Sequence, residues 1–342
     1  MECGIIKKPD LEKLITYATE QKKVFYGPVA GEKGVEFKAV TSYEEIALDY
    51  DNVKLPPKSI FFPQREVLCR FSGDTLKEVN IEAEDSIIFG IRPCDAAALV
   101  YLDKVFKDVK SRFQDPYYLM RREKALIIAL ACDTPRATCF CTSVGGSPAG
   151  KTGSDILATD LGETLIFESC SEKGKVFMDK SGLFKRPADR DIKVKEEKAR
   201  QVEQSMAEIP TPNIAGLTEK IDKDFEDPFW DAITRNCLGC GACTYLCPTC
   251  HCFDITDEEN GKKEGIRLRT WDSCQYSLFT LHASGHNPRV NKKQRLRQRI
   301  MHKFSYTVAN TNDIYCVGCG RCITYCPVNL DIRDMLNTLN KL

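Results

Sequence analysis

The sequence has no excess of charge of either sign: 49 Lys plus Arg stand against 49 Asp plus Glu. That balance speaks against a general nucleic-acid binder and against a polybasic membrane clamp. No stretch reaches the roughly 18 apolar residues needed to cross a bilayer. Residues 1–10 (MECGIIKKPD) lack the apolar core of a secretion signal, so a cytoplasmic protein without membrane insertion is expected. Also missing is a G-x-G-x-x-G run between a strand and a helix, the fingerprint of dinucleotide binding. Residues 145–153 (GGSPAGKTG) are rich in glycine, but their proline and spacing make a poor phosphate loop. No Ser-His-Asp or paired-carboxylate arrangement stands out, which gives no reason to expect acid–base or acyl-transfer chemistry.

Cysteine, by contrast, is abundant, with 18 in 342 residues. In a reducing compartment such a count points to metal ligands or catalytic thiols rather than disulfides. Eleven of the 18 fall between Cys237 and Cys326, mostly in tight local groups, which favours metal. Apolar residues at 42% and charged residues at 29% are compatible with packed, soluble domains.

The first half reads as alternating strands and helices. Ser86–Ile91 (SIIFGI) and residues 125–131 (ALIIALA) are apolar runs of strand length. Residues 95–109 between them space their apolar side chains as a helix does, with Asp95 placed as N-cap. Strand, helix, strand in that order predicts a parallel, covered sheet. The charge-dense stretch 185–204 predicts a linker or a solvated helix, and residues 209–216 add prolines and a glycine. The division expected is an α/β domain over 1–205 and a mainly helical, two-cluster ferredoxin-like domain over 206–342, an α+β chain. Residues 217–235 look helical.

One repeat dominates the second half. Cys237-x2-Cys240-x2-Cys243-x3-Cys247-Pro248 recurs as Cys316-x2-Cys319-x2-Cys322-x3-Cys326-Pro327, with glycines at the same places. This is the spacing of bacterial two-cluster ferredoxins, in which the fourth cysteine of each motif reaches the other cluster. It predicts one [4Fe–4S] cluster on Cys237, Cys240, Cys243 and Cys326, and a second on Cys316, Cys319, Cys322 and Cys247. Structural zinc usually joins two C-x2-C hairpins instead. Cys243-x3-Cys247-x2-Cys250 also fits a radical S-adenosylmethionine motif, but no barrel strand precedes it and two of its cysteines are already committed.

The 68 residues between the motifs hold Cys250, Cys252 and Cys274, with His251, His282, His286 and His302 nearby in sequence. These thiols are read either as small buried groups beside the clusters or as ligands of a further metal. Residues 289–303 carry seven Lys or Arg, either a solvated helix face or cations that offset the negative charge of a thiolate-bound cluster. In the first half Cys94, Cys132, Cys139 and Cys141 lie near the expected strand ends and in an adjoining loop. Cofactors dock at such ends in parallel sheets. They are candidates for a third [4Fe–4S] cluster, with structural or redox thiols as the alternative. Cys3, Cys69 and Cys170 have no partners by spacing and read as structural.

The runs CPTCHCFD (247–254), RTWDSC (269–274), ASGHNPR (283–289), HKF (302–304) and CVGCGRCITYCPVN (316–329) resemble the iron–sulfur beta subunit of sulfhydrogenases and the iron–sulfur subunit of anaerobic sulfite reductase. GIRPCDAAAL (90–99), DPYY (115–118), RRE (121–123) and CFCTSVGGSP (139–148) extend the likeness into the first half. The resemblance implies a non-catalytic electron-transfer subunit of a hetero-oligomeric anaerobic oxidoreductase complex. One implied partner is a flavin-bearing, NAD(P)H-binding subunit. The other is a catalytic or iron–sulfur carrier subunit, of the nickel–iron hydrogenase, sirohaem sulfite reductase or heterodisulfide-reductase-like kind. The competing reading is a self-contained iron–sulfur reductase with its own catalytic cluster.

Overall fold

In the computed structural model, which describes residues 1–32, 34–81, 83–107, 113–261 and 263–342, the two apolar runs become strands, and the described residues hold eleven strands in all. They are β1 (Cys3–Lys7), β2 (Val24–Gly31), β3 (Gly34–Ala39), β4 (Arg65–Ser72), β5 (Thr75–Glu78), β6 (Ser86–Ile91), β7 (Ala125–Leu130), β8 (Ile156–Asp160), β9 (Thr164–Ser169), β10 (Phe253–Glu259) and β11 (Glu264–Trp271). The chain divides into two discontinuous units. The first comprises Met1–Pro57, Ala83–Thr211 and Val317–Gly320; the second comprises Lys58–Glu82, Pro212–Cys316 and Arg321–Leu342.

The first unit is built on a seven-stranded sheet in the order β1-β9-β8-β7-β6-β2-β3. Strands β2, β6, β7 and β8 pair in parallel. Antiparallel β9 and β1 extend one side, and β3 closes the other as a hairpin with β2. The two apolar runs are the central strands β6 and β7, and every residue in them is buried, as a sheet covered on both faces requires. Ile87, Phe89, Ile128 and Leu130 join Leu11 and Leu14 in one core.

The helix between these strands runs Pro93–Phe106 and starts two residues before the expected position. Proline at the first helical position has the right φ already, and its missing N–H leaves no bond unmade. Arg92 is therefore the N-cap, and Asp95 lies inside the first turn. Asp108 and Val109, expected to end this helix, lie outside the described residues. The charged stretch near residue 190 is the helix Asp189–Ala207, which buries only Val202 and Met206.

The second unit mixes helices with a four-stranded antiparallel sheet in the order β10-β11-β4-β5. The helical expectation for this half does not include that sheet. Strand β10 is exposed along its length, whereas β11 buries Leu268 and Trp271. Trp271 stacks on Phe62 with ring centres 5.7 Å apart, and its indole N–H donates to the Phe62 carbonyl at 3.0 Å. That packing fixes the start of the segment leading to Cys274. Residues 217–235 form two short helices, Leu217–Lys223 and Phe229–Thr234. Helix Lys292–Met301 opens on a capping box: Asn291 accepts from the Gln294 N–H, and the Gln294 side chain accepts from the Asn291 N–H. It continues into a π-helical turn, His302–Tyr306, a distortion that often marks functional sites. No helix among the described residues is long and apolar enough to cross a membrane.

Candidate iron–sulfur centres

In the second unit the first motif follows helix Phe229–Thr234 as a loop whose turns need left-handed backbone. Gly239 and Gly241 have φ of +69° and +76°, a conformation that carries a steric cost for residues with a Cβ. At Gly241 a Cβ would also press on the Tyr276 ring, 2.8 Å away. These turns bring Cys237, Cys240 and Cys243 to one cavity, and Cys326, from the distant second motif, lines the same cavity. Two amides already point at the sulfurs: Gly239 N–H donates to Cys237 Sγ at 3.4 Å, and Leu330 N–H donates to Cys326 Sγ at 3.3 Å. Leu296, Ile300 and Met335 form an apolar wall. Cys240 is the exposed member of the set.

The positive charges near these thiols are buried. Of the basic run 289–303, Arg295, Arg297, Arg299 and Lys303 are all less than a tenth exposed, so the solvated-face reading fails for this side of the helix. Arg299 donates to Cys250 Sγ at 3.4 Å. Burial pulls its guanidinium pKa down, yet the thiols of Cys243, Cys250, Cys322 and Cys247 together hold it well above its usual value. Lys303 donates to Thr249 Oγ1 at 2.8 Å and to the Tyr315 carbonyl at 2.7 Å. Its pKa is likewise lowered by burial but raised overall by Cys247 and Cys250. A third cation, Lys58, donates to the carbonyls of Cys247 and Cys250 at 2.8 and 2.6 Å. Burial brings its pKa down to about 8. Among the described residues, none of these three cations pairs with a carboxylate. A buried cation without a counter-ion is costly, so negative charge belongs here. Thiolates bound to an iron–sulfur core would supply it, and the donor set of the cavity, with Arg299 in its wall, suits such a group.

The second predicted ligand set comprises Cys316, Cys319, Cys322 and Cys247. Cys247, Cys316 and Cys322 belong to the second unit, with Cys247 and Cys316 buried. Cys322 also lines the cavity of Cys237 and Cys326. Cys247 sits 3.2 Å from the Thr249 hydroxyl, and contact with the Cys250 thiol holds its pKa well below the usual range. Cys319 lies on Val317–Gly320, which is part of the first unit.

There the four N-terminal candidates converge. Cys94 stands in the first turn of helix Pro93–Phe106, Cys132 follows β7, and Cys139 and Cys141 flank Phe140 in the next loop. All four line one cavity with Cys319. The Cys132 N–H donates to the Pro148 carbonyl at 3.0 Å and the Phe140 N–H to the Gly318 carbonyl at 2.8 Å, so both loop ends are fixed. Burial pushes Cys132 up to about 11, opposed by Arg92; burial and the thiols of Cys132 and Cys139 push Cys141 up to about 12. Arg92 is buried, donates to the carbonyls of Leu130 and Ala131 at 3.3 and 2.8 Å, and lies 4.1 Å from the Tyr50 ring centre. The Asn52 amide reaches Cys94 Sγ at 3.9 Å.

Sequence spacing misses two participants. Lys58 is one, because a lone lysine in a Pro-rich segment has no local signature. Cys319 is the other: spacing assigns it to the second ferredoxin set alone, whereas it also lines the N-terminal cavity. Cys250, Cys252 and Cys274, read as either packing or ligating thiols, line a further cavity with His251 and His302.

Residues 236–330 match the 4Fe-4S dicluster domain family. Over 322 residues, 92% of this chain and 92% of the relative, the sequence is 33% identical to sulfhydrogenase 2 subunit beta of Pyrococcus furiosus. At that identity, held across almost the whole of both chains and including the dicluster segment, the chain belongs to the family of the sulfhydrogenase beta subunits.

Proposed function

We propose that this chain is the electron-transfer subunit of an anaerobic oxidoreductase complex and does no bond chemistry of its own. The observation that carries the reading is the meeting of Cys237, Cys240 and Cys243 with Cys326 at one cavity beside the buried Arg299. We assign those four to one [4Fe–4S] cluster, Cys316, Cys319, Cys322 and Cys247 to a second, and Cys94, Cys132, Cys139 and Cys141 to a third. Residues 1–205 would then carry the third cluster, and residues 206–342 the ferredoxin pair on mainly helical supports.

When bound, such a group stores and passes single electrons at a potential set by net charge, hydrogen bonds to sulfur and solvent exposure. The residues of this chain adjust all three. Arg299 and Lys303 place positive charge among the thiols, the amides of Gly239 and Leu330 donate to sulfur, and Leu296 and Ile300 hold water away. The relative's name, a beta subunit of a sulfhydrogenase, supports hetero-oligomeric partners. With no glycine fingerprint for a dinucleotide, the electrons would come from an NAD(P)H-binding flavoprotein. They would leave to a hydrogenase-type, sulfite-reductase-type or heterodisulfide-reductase-like partner.

Full-length protein reconstituted anaerobically should bind at least about eight irons with matching sulfide, and about twelve if the N-terminal site fills. Cys139→Ser should remove about four of them and leave the ferredoxin signals in electron paramagnetic resonance unchanged. NAD(P)H should reduce the clusters only after a flavin-bearing partner is added. Stoichiometric zinc without iron, or rapid reduction by NAD(P)H alone, would refute the assignment.

A further inference from the structure

The insert between the two motifs holds thiols that the ferredoxin pattern does not use. Cys250, Cys252 and Cys274 line one cavity in the second unit together with His251, Arg299 and Lys303. The first two come from the turn after the first motif and the third from the segment following β11, so two separate parts of the chain deliver them. Cys252 pairs with Cys274, and Cys250 with Cys247, a thiol of the first ferredoxin motif. Cys274 also acts electrostatically on Cys243, a member of the neighbouring ferredoxin set.

The surroundings are built for negative charge. Arg299 touches Cys250 Sγ, Lys303 lines the cavity, and Lys58 donates to the carbonyls of Cys247 and Cys250. No carboxylate lines the cavity among the described residues. Neutral thiols would leave these buried cations uncompensated, and bare thiolates packed together would repel one another. A metal resolves both problems.

His251 offers a fourth donor. Its Nδ1 lies 3.1 Å from the Thr249 carbonyl, which can only accept, so Nδ1 carries the hydrogen and Nε2 keeps its lone pair. A carbonyl holding one ring nitrogen this way is the usual support of a ligating histidine. Three thiols and an imidazole suit iron–sulfur, zinc or copper. Among the described residues, no group of three such side chains stands ready for a single ion. Cys250 and Cys274 each adjoin thiols of the ferredoxin motifs, Cys247 and Cys243, which favours the same kind of occupant, an iron–sulfur cluster.

We propose that Cys250, Cys252, Cys274 and His251 hold an additional iron–sulfur cluster in the second unit, separate from the two ferredoxin-type sets and from the N-terminal thiols. The site lengthens the electron path within this unit through the insert. The test uses the full-length chain, isolated and reconstituted anaerobically with iron and sulfide. The Cys252→Ser/Cys274→Ser double variant should lose about four irons and one resonance signal, while Cys139→Ser loses a different signal. Iron lost in one variant and not in the other separates this site from the N-terminal assignment. Should the double variant fail to fold, the wild-type protein labelled with 15N-histidine decides. One cluster signal should show histidine nitrogen coupling, and His251→Cys should abolish that coupling while the iron count stays the same. Unchanged iron in a folded double variant, stoichiometric zinc displaced only by that variant, or no histidine coupling on any cluster would overturn the proposal.

Discussion

In the second unit three buried cations, Lys58, Arg299 and Lys303, lie among the thiols of Cys243, Cys247, Cys250 and Cys322. In the first unit the thiols of Cys94, Cys132, Cys139 and Cys141 share the buried Arg92, two of whose contacts are already with the Leu130 and Ala131 carbonyls. The same residue type is thus housed in two electrostatic settings. A buried cation persists only where something anionic offsets it, so the cations record where negative charge resides when the protein is loaded. The second unit is prepared for more of it, and any cluster there is held in a more positive field. Thiols of the first unit rely on burial and convergence, which raise Cys132 and Cys141.

The most severe test of this contrast is removal of a ligand in the cation-rich unit. Cys243→Ser should cost about four irons per chain and, by leaving Arg299 with less compensation, lower the anaerobic unfolding midpoint as well. Iron loss with no change in stability would break the link between cation and thiolate. Next comes Arg299→Met, which removes the cation and leaves the buried thiolates. It should destabilise the protein by about 3–5 kcal/mol in anaerobic denaturant titration. A loss under about 1 kcal/mol would mean the cation does not balance buried charge.

Arg92→Met is the matching change in the first unit. It removes hydrogen bonds to the carbonyls of Leu130, Ala131 and Tyr50 and should cost about 1–3 kcal/mol, less than its counterpart. An equal or larger loss would erase the distinction between the units. Gly318→Ala sharpens the picture of the N-terminal cavity. Gly318 has φ of +61°, and a Cβ there would collide with Phe140 and Cys141. The change should cost about 1 kcal/mol or more and weaken iron retention at the N-terminal site before the others. The smallest effect belongs to Arg267→Ala on the β10–β11 hairpin. Arg267 and Asp257 form a paired contact at 2.8 Å on an exposed surface. Exposed pairs contribute little, so neither the midpoint nor the iron content should move measurably.

Much of the cysteine pattern was legible because each motif is local. C-x2-C-x2-C-x3-C-P is a statement about a tight loop, and a loop of that length with glycine at the turns closes on itself wherever it sits. Strands β6 and β7 were legible for a similar reason: an unbroken apolar run of six residues has few places to go but a covered sheet. The start of the helix at Pro93 is readable too, once the proline is weighed above the aspartate.

What escaped the sequence depends on distant partners. Strand β4 pairs with β11, joining residues such as Arg70 and Ile266, and nothing near either strand announces that pairing. The basic run 289–303 was undecided because a helix carries no mark of what will cover it. Here the sequence by itself determined the two cysteine motifs and their spacing, the parallel pairing of β6 and β7, and the family. Tertiary structure alone decided that Arg299 and Lys303 are buried among thiols, that Lys58 joins them, and that Cys250, Cys252 and Cys274 share a cavity with His251. The physical reason is range. Loop geometry and apolar periodicity act over a few residues, whereas desolvation and charge compensation depend on every segment packed around a group, however far away it lies in the chain.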